Sequence, residues 1–303
     1  MIMRTTLILR TTLLLLVALA VSACASDAEE GQSIEVVVTT SILGDIATKV
    51  VGDDALLEVI MSPGADPHEF EPSARQVASM LSANLIVANG LGLEESLEDV
   101  LDSAVDDGVA VIEIGPEVEP VRLTESNGFD PHVWLDPVRM AGAIDLIVEA
   151  LVELDASVDW AAQAAPYRQE LLELDTWIDQ QLEFIPPDAR VLLTGHQNLG
   201  YFADRYGFEV VATILPGATT MIEPSASSFA DVIEILEASG TRAIFTDFGE
   251  SQALAEQLTE QVDRDVAVVP LHLGALGSEG SGAESYLDLM RWNVEAIRAV
   301  FEQ

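Results

Sequence analysis

The chain has 303 residues, of which 52 are Asp or Glu and 13 are Lys or Arg, so its formal net charge is −39 at pH 7. This balance argues against nucleic acid as a partner, because binding to phosphates needs clustered basic side chains. The acidic residues are spread along the chain, which is typical of a solvated surface, and the length suits one large domain or two medium ones.

An export signal is predicted over residues 1–23. Arg4 and Arg10 precede an apolar stretch over 11–21, and small residues follow it. This arrangement is typical of a cleaved signal peptide, and the stretch is shorter than the roughly 20 apolar residues of a spanning helix. Cys24 is the only cysteine, so an intramolecular disulfide is excluded. Residues 24–33 are polar and are interpreted as a tether.

Short β-branched runs alternate with amphipathic stretches along the rest of the chain. The first four predicted strands cover 34–40, 56–61, 85–88 and 109–114, with helices over 42–51, 73–82 and 94–105. The middle has no strand signal: Asp136 suits an N-cap, Pro137 suits the first helical turn, and a long amphipathic helix is predicted from Trp160 to Phe184. Four more strands are predicted over 190–194, 208–213, 242–246 and 266–269, with helices over 197–206, 225–239, 250–263 and 283–302.

This order predicts an α/β protein with two lobes, each with a mostly parallel four-stranded sheet flanked by helices. The N-terminal lobe is assigned to 34–158, the linking helix to 159–185 and the C-terminal lobe to 186–303. Residues 63–74 and 216–226 are similar in sequence, an internal echo in which both segments begin with Pro-Gly-Ala and end with Pro-Ser-Ala. Ser73 and Ser225 are the expected N-caps of the helices that follow. Ancestral duplication and convergent loop chemistry both explain the echo.

The four histidines all follow predicted strands: His68, His132, His196 and His272. Ligands of open parallel sheets bind beyond the carboxyl ends of the strands. Facing lobes would therefore bring these imidazoles to one cleft, and imidazole is a common ligand of zinc and related metals. Several neighbouring acids are candidates to accept the second imidazole N–H and orient the rings, namely Glu69, Glu71, Asp130 and Asp136.

Enzyme motifs are poorly represented. The chain has no His-Glu-x-x-His motif, no phosphate-binding P-loop and no G-x-S-x-G elbow. Three histidines and a water are nevertheless also the ligands of many catalytic zinc ions. An exported zinc enzyme therefore stays open on the ligand count alone.

Several motifs together resemble the metal-binding substrate-capture lipoproteins of bacterial ABC importers for zinc and manganese. They are Thr39–Leu43, Pro67–Ser73, Asn89–Glu94, Asp130–Pro137, His196–Ala203 and Tyr286–Asn293. The resemblance spans roughly residues 34–303 and implies one metal held between two lobes that a rigid helix joins. It implies that His68, His132 and His196 are the first three ligands.

Val21-Ser22-Ala23-Cys24 resembles a lipobox, which implies a lipid on Cys24; the alternative is a chance cysteine beside a signal peptidase site.

The fourth ligand is where the chain departs from this family. Gly274 stands where the family often has an aspartate, so His272, then Asp247, then a water are the candidates in that order. His196 favours zinc, because manganese-selective relatives often have a carboxylate at the third position and imidazole suits Zn²⁺.

The resemblance implies an exported, lipid-anchored monomer that is not an enzyme. It is expected to capture Zn²⁺ and deliver it to an ABC permease with its ATPase. The alternatives are Mn²⁺ as cargo, or an adhesin-like surface lipoprotein whose metal is structural.

Overall fold

The computed structural model describes residues 33–123, 128–249 and 252–302. The predicted signal peptide, Cys24 and nearly all of the predicted tether lie outside the described residues, as do residues 250–251 at the start of one predicted helix. Residues 34–303 form one compact unit by their backbone contacts. Among the described residues, no helix combines the length and the apolar character needed to cross a membrane.

The first sheet is wholly parallel, with the strand order β2-β1-β3-β4. Its strands are β1 Ile34–Val38, β2 Ala55–Val59, β3 Leu85–Ala88 and β4 Ala110–Glu113, and its helices are α1 Ser41–Val51, α2 Ala74–Ser82 and α3 Glu98–Asp106. Every residue of β3 is buried, as expected of a strand in a parallel sheet with both faces covered.

The second sheet repeats the same arrangement with the order β6-β5-β7-β8, again all parallel. Its strands are β5 Val191–Thr194, β6 Glu209–Thr213, β7 Ala243–Asp247 and β8 Ala267–Leu271. The two parallel four-stranded sheets and their helices confirm the predicted fold class.

Two helices fill the middle of the chain, α4 Pro137–Leu154 and α5 Trp160–Leu182. Asp136 caps α4 by accepting from Val138 N at 2.8 Å, as predicted. The buried side chains of α5 recur every three or four residues, which places them on one face of the helix. That face packs against α4 and α1 of the first lobe and also against the last helix of the chain.

The remaining helices belong to the second lobe: α6 Gly200–Tyr206, α7 Ala226–Ser239, α8 Ala253–Thr259 and α9 Tyr286–Phe301. Ser73 and Ser225 cap α2 and α7, as the echo between their loops predicts. The prediction of a helix from residue 197 is wrong at its start, because α6 begins at Gly200. The residues just before α6 instead form a loop in which Asn198 N donates to His196 O at 2.8 Å.

One hydrophobic core extends from the first sheet to the second and includes Trp134 and Tyr286. Hydrogen bonds reinforce this junction: Trp134 Nε1 donates to Leu273 O at 2.7 Å, and Tyr286 Oη donates to Trp134 O at 2.7 Å. Smaller clusters cover the outer face of each sheet. The lobes therefore share their interior, and the carboxyl ends of the strands carry the loops described next.

Candidate metal centre

His68 is presented by the loop between β2 and α2. Asp66 Oδ1 accepts from His68 N at 2.9 Å, which closes a tight turn around Pro67. The far end of the loop is held by Gln76, whose Nε2 donates to Ile60 O at 2.7 Å. The imidazole is therefore carried on a loop that is fixed at both ends.

His132 is presented by a second Asp-Pro-His turn, on the long connection after β4. Asp130 Oδ1 accepts from His132 N at 2.9 Å and lies 2.7 Å from His132 Nδ1. A carboxylate can only accept, so Nδ1 carries the proton and Nε2 keeps its lone pair. The turn is further held by Tyr201, whose hydroxyl donates to Asp130 O at 2.7 Å, and by Asn89, whose Nδ2 donates to Pro131 O at 2.9 Å.

His196 comes from the second lobe, two residues after β5. Gly195 N donates to Phe245 O at 3.0 Å, which extends the sheet as far as the histidine. Asn198 lies against the ring, with its Nδ2 3.4 Å from His196 Nδ1, and its Oδ1 accepts from Thr194 Oγ1 at 2.8 Å. The third imidazole is thus aligned by the strand that precedes it and by the loop that follows.

These three side chains meet. His132 Nε2 lies 3.3 Å from His68 Nε2 and 3.1 Å from His196 Nε2, and all three residues are buried. Two Zn–N bonds of 2.0–2.1 Å at a tetrahedral angle separate their nitrogens by about 3.3 Å. The spacing of His132 Nε2 from each of the other two nitrogens is therefore close to that expected around a tetrahedral ion, and the ligand atoms of all three residues lie within 4.8 Å of one another. Among the described residues, no other group of three or more His, Cys, Asp or Glu ligand atoms lies this close together.

The electrostatics at His68 favour a neutral imidazole. Burial, followed by the neighbouring imidazoles of His132 and His196, lowers the pKa of His68 to about 2. A neutral imidazole has a lone pair to give to a metal, whereas a protonated one has none. His68 Nδ1 is buried and has no hydrogen-bond partner among the described residues. A set of three imidazole donors fits a borderline divalent cation.

His272 lies directly after β8 but outside this cluster. Its ring stacks on Phe248 at a centroid distance of 4.4 Å and meets Trp292 edge-on at 5.1 Å. Asn293 fixes its backbone by accepting from His272 N at 2.8 Å and donating to His272 O at 2.7 Å. Burial lowers the pKa of His272, against an opposite effect of Glu284.

Asp247 ends β7 and is half-buried at the edge of the cleft. Its Oδ1 lies within 3.4 Å of Leu273 N and 3.3 Å of Gly249 N. A Cβ on Gly274 would come 2.8 Å from Asp247 Oδ2 and 3.5 Å from Pro67 Cδ. The missing side chain at Gly274 thus leaves room for the Asp247 carboxylate on the side of the loop that carries His68.

The acids expected to orient the rings fulfil different roles. Asp130 does contact an imidazole, as predicted, whereas Glu69 and Glu71 are exposed and Asp136 caps α4 and pairs with Arg139. Sequence reasoning missed Asp66, although its position in Asp-Pro-His matches that of Asp130. It also missed Gly200, where a Cβ would collide with Asp130 Oδ2.

Two parallel sheets of identical strand order that place buried imidazoles between them define a bilobed α/β metal-binding protein. The chain belongs to the family described as zinc-uptake complex component A, periplasmic, whose sequence profile matches residues 36–300. It is thus the metal-binding component of an ABC uptake system and not an enzyme, and members of the family work with a permease and its ATPase.

Similar proteins agree with this assignment. The chain is 30% identical over 290 residues to the manganese-binding lipoprotein MntA of Halalkalibacterium halodurans, covering 94% of this chain and 95% of that protein. It is 30% identical over 272 residues to the zinc-binding protein TroA of Treponema pallidum, covering 87% of each. The solved structure of periplasmic zinc-binding TroA from T. pallidum is similar with a TM-score of 0.82 and 27% identity, covering 89% of this chain and 99% of that one.

Proposed function

We propose that this protein captures Zn²⁺ outside the cytoplasm through His68, His132 and His196 and delivers the ion to an ABC permease. The observation that supports this most directly is that the buried His132 Nε2 lies 3.3 Å from His68 Nε2 and 3.1 Å from His196 Nε2, with the ligand atoms of all three residues within 4.8 Å of one another. An all-imidazole set suits Zn²⁺, whereas carboxylate and water ligands suit Mn²⁺. Because MntA is named for manganese and TroA for zinc, family membership alone leaves the cargo to be measured.

For the fourth ligand we propose Asp247 ahead of His272. The space beside Gly274 favours Asp247, since it lets this carboxylate lie next to the loop of His68. The stacking of the His272 ring between Phe248 and Trp292 counts against His272, because leaving that position would break both ring contacts. If neither Asp247 nor His272 contributes to Zn²⁺ affinity, the fourth ligand is a water.

A competitive titration of Zn²⁺ and Mn²⁺ on the purified protein tests the cargo and the ligands together. We expect one equivalent of Zn²⁺, a preference for Zn²⁺ over Mn²⁺, and severe weakening in each of the variants H68A, H132A and H196A. Unchanged affinity in all three would refute the site, and tighter Mn²⁺ binding would identify manganese as the cargo. Asp247→Asn and His272→Gln, measured side by side, decide between the two candidates for the fourth position.

We further propose that the protein is a monomer and that a lipid on Cys24 anchors it at the periplasmic or extracellular face of the cell membrane. The lipobox-like Val21–Cys24 supports this, and relatives such as MntA are named lipoproteins. Cell fractionation of a Cys24→Ser variant should move the protein from the membrane to the soluble fraction. Retention of the variant in the membrane fraction would contradict the anchor.

A further inference from the structure

The two Asp-Pro-His turns of this protein share a backbone and differ in their side chains. In both, the aspartate Oδ1 accepts from the histidine backbone N at 2.9 Å. In the second turn the same oxygen also lies 2.7 Å from His132 Nδ1. In the first turn His68 Nδ1 has no partner among the described residues.

The other oxygen of the Asp66 carboxylate is held from across the cleft. Thr220 Oγ1 donates to Asp66 Oδ2 at 2.8 Å, although the two residues are 154 positions apart. Thr220 lies in the loop between β6 and α7, which is the loop of the second lobe that echoes residues 63–74. Both side chains are half-buried, and they line a shared cavity of about 330 Å³ together with Glu69 and Glu223.

Metal capture changes what His68 requires of its surroundings. A histidine that gives its Nε2 lone pair to a metal carries its proton on Nδ1. That N–H is then a buried donor, and a buried donor without an acceptor is costly. Metal-bound histidines almost always donate this proton to a carboxylate, a carbonyl or a water. The turn of His132 shows that an aspartate two residues earlier can accept from Nδ1 and from the backbone at once.

We propose that Asp66 is the positioning residue of His68, and that Thr220 holds the Asp66 carboxylate in place from the second lobe. On metal binding, Asp66 accepts the Nδ1 proton of His68 while its other oxygen keeps the hydroxyl of Thr220. Through Asp66, the contact of Thr220 across the cleft thereby helps to set the orientation of the His68 ring. This inference rests on the proposed function.

Four variants of the full chain separate this role from a merely structural one. Asp66→Asn removes the charge but keeps an oxygen for the turn, and Thr220→Val removes only the hydroxyl. Thr220→Ser restores the hydroxyl. Glu71→Gln is the matched control, because it removes one negative charge at an exposed residue of the same loop that does not line the cavity of Asp66 and Thr220.

The readouts are Zn²⁺ affinity by competitive titration and the Nδ1–H signal of His68 by ¹⁵N NMR of the zinc-loaded protein. We expect a loss of affinity of about 10- to 100-fold for Asp66→Asn and about 10-fold for Thr220→Val. Thr220→Ser and Glu71→Gln should bind Zn²⁺ like the unchanged protein. A fifth variant that combines Asp66→Asn with Thr220→Val should bind Zn²⁺ no more weakly than Asp66→Asn alone, since both changes act through one carboxylate. In the unchanged protein the Nδ1–H should resonate as a proton bonded to a carboxylate, and it should shift in Asp66→Asn.

Two results would overturn the inference while leaving the proposed function intact. One is Zn²⁺ affinity in Thr220→Val equal to that of the unchanged protein. The other is a His68 Nδ1–H signal that Asp66→Asn leaves unmoved. Failure of the unchanged protein to bind Zn²⁺ at one equivalent would instead overturn the proposed function, and this inference with it.

Discussion

Replacing Asp130 by Asn should weaken Zn²⁺ binding without unfolding the protein. The Asp130 carboxylate is buried, accepts from His132 N at 2.9 Å, and lies 2.7 Å from His132 Nδ1. The Asn oxygen can still close the turn, so the backbone of the loop should be kept. What is lost is the negative charge that fixes the Nδ1 proton and makes Nε2 a stronger donor to the metal.

The magnitude follows from what such an orienting carboxylate contributes in other metal sites. Loss of this partner costs about 10- to 100-fold in metal affinity, which corresponds to about 1.4–2.8 kcal/mol at 1.4 kcal/mol per factor of ten. His132 lies at the centre of the cluster, within 3.3 Å of both other Nε2 atoms, so a misaligned ring would disturb both of its neighbours.

The assay is competitive Zn²⁺ titration beside the control Asp145→Asn. Asp145 is exposed on α4 and pairs with Arg168 at 2.9 Å, so this variant changes the net charge by the same one unit at a surface pair that includes no histidine. An exposed pair contributes about 0–1 kcal/mol and should leave the Zn²⁺ affinity unchanged. Equal losses in the two variants would refute the reasoning, because the effect would then be one of total charge.

Three further predictions concern the support of the site. Gly200→Ala should lower Zn²⁺ affinity as Asp130→Asn does, because the added methyl group collides with the Asp130 carboxylate; normal binding by a folded variant would contradict the clash. Tyr286→Phe should lower the free energy of unfolding in urea by about 1–2 kcal/mol, because it leaves the buried Trp134 carbonyl without this donor, while Zn²⁺ stoichiometry should stay at one.

The third of these predictions is that the free energy of unfolding depends on pH. In the unfolded chain His68 takes up a proton near its ordinary pKa of 6.5, whereas in the folded protein its pKa is lowered to about 2. The free energy of unfolding of the metal-free protein should therefore fall as the pH drops through 6.5, with a slope from this group that approaches about 1.4 kcal/mol per pH unit below about pH 5.5. The variant H68Q should show a shallower slope in denaturation experiments, and equal slopes would rule this out.

The sequence predicts most of the fold because its strands are short β-branched runs, and central strands such as β3 and β7 are almost wholly buried. β3, predicted over 85–88, is found there without change. The start of α6 could not be predicted, because the loop after His196 is fixed by the side chain of Asn198 and not by any helix signal. Such contacts depend on which loops face each other once the sheets have formed.

The candidate site is predicted in part for the same reason. The position of all four histidines after strands predicted one cleft, and His68, His132 and His196 do meet there, whereas His272 lies outside the cluster. The family motifs, and not the strand ends, distinguished the first three from His272. The rings of Phe248 and Trp292 around His272 come from separate elements, so no local pattern announces them. The hydrogen bond between Thr220 and Asp66 is equally hidden, whereas the second Asp-Pro-His motif was a visible signal for Asp66.

Along the chain, His132 lies 64 residues after His68, and His196 lies 64 residues after His132. No two of them share a helix, strand or turn, so an unfolded chain can bring them to one ion only by closing long loops, at a large cost in chain entropy. The bound ion should therefore favour the folded form almost exclusively. At a free ion concentration 1,000 times the dissociation constant, this amounts to about 4.1 kcal/mol of added stability. The cargo thus also serves as a removable crosslink, and handing it over returns the protein to its less stable form.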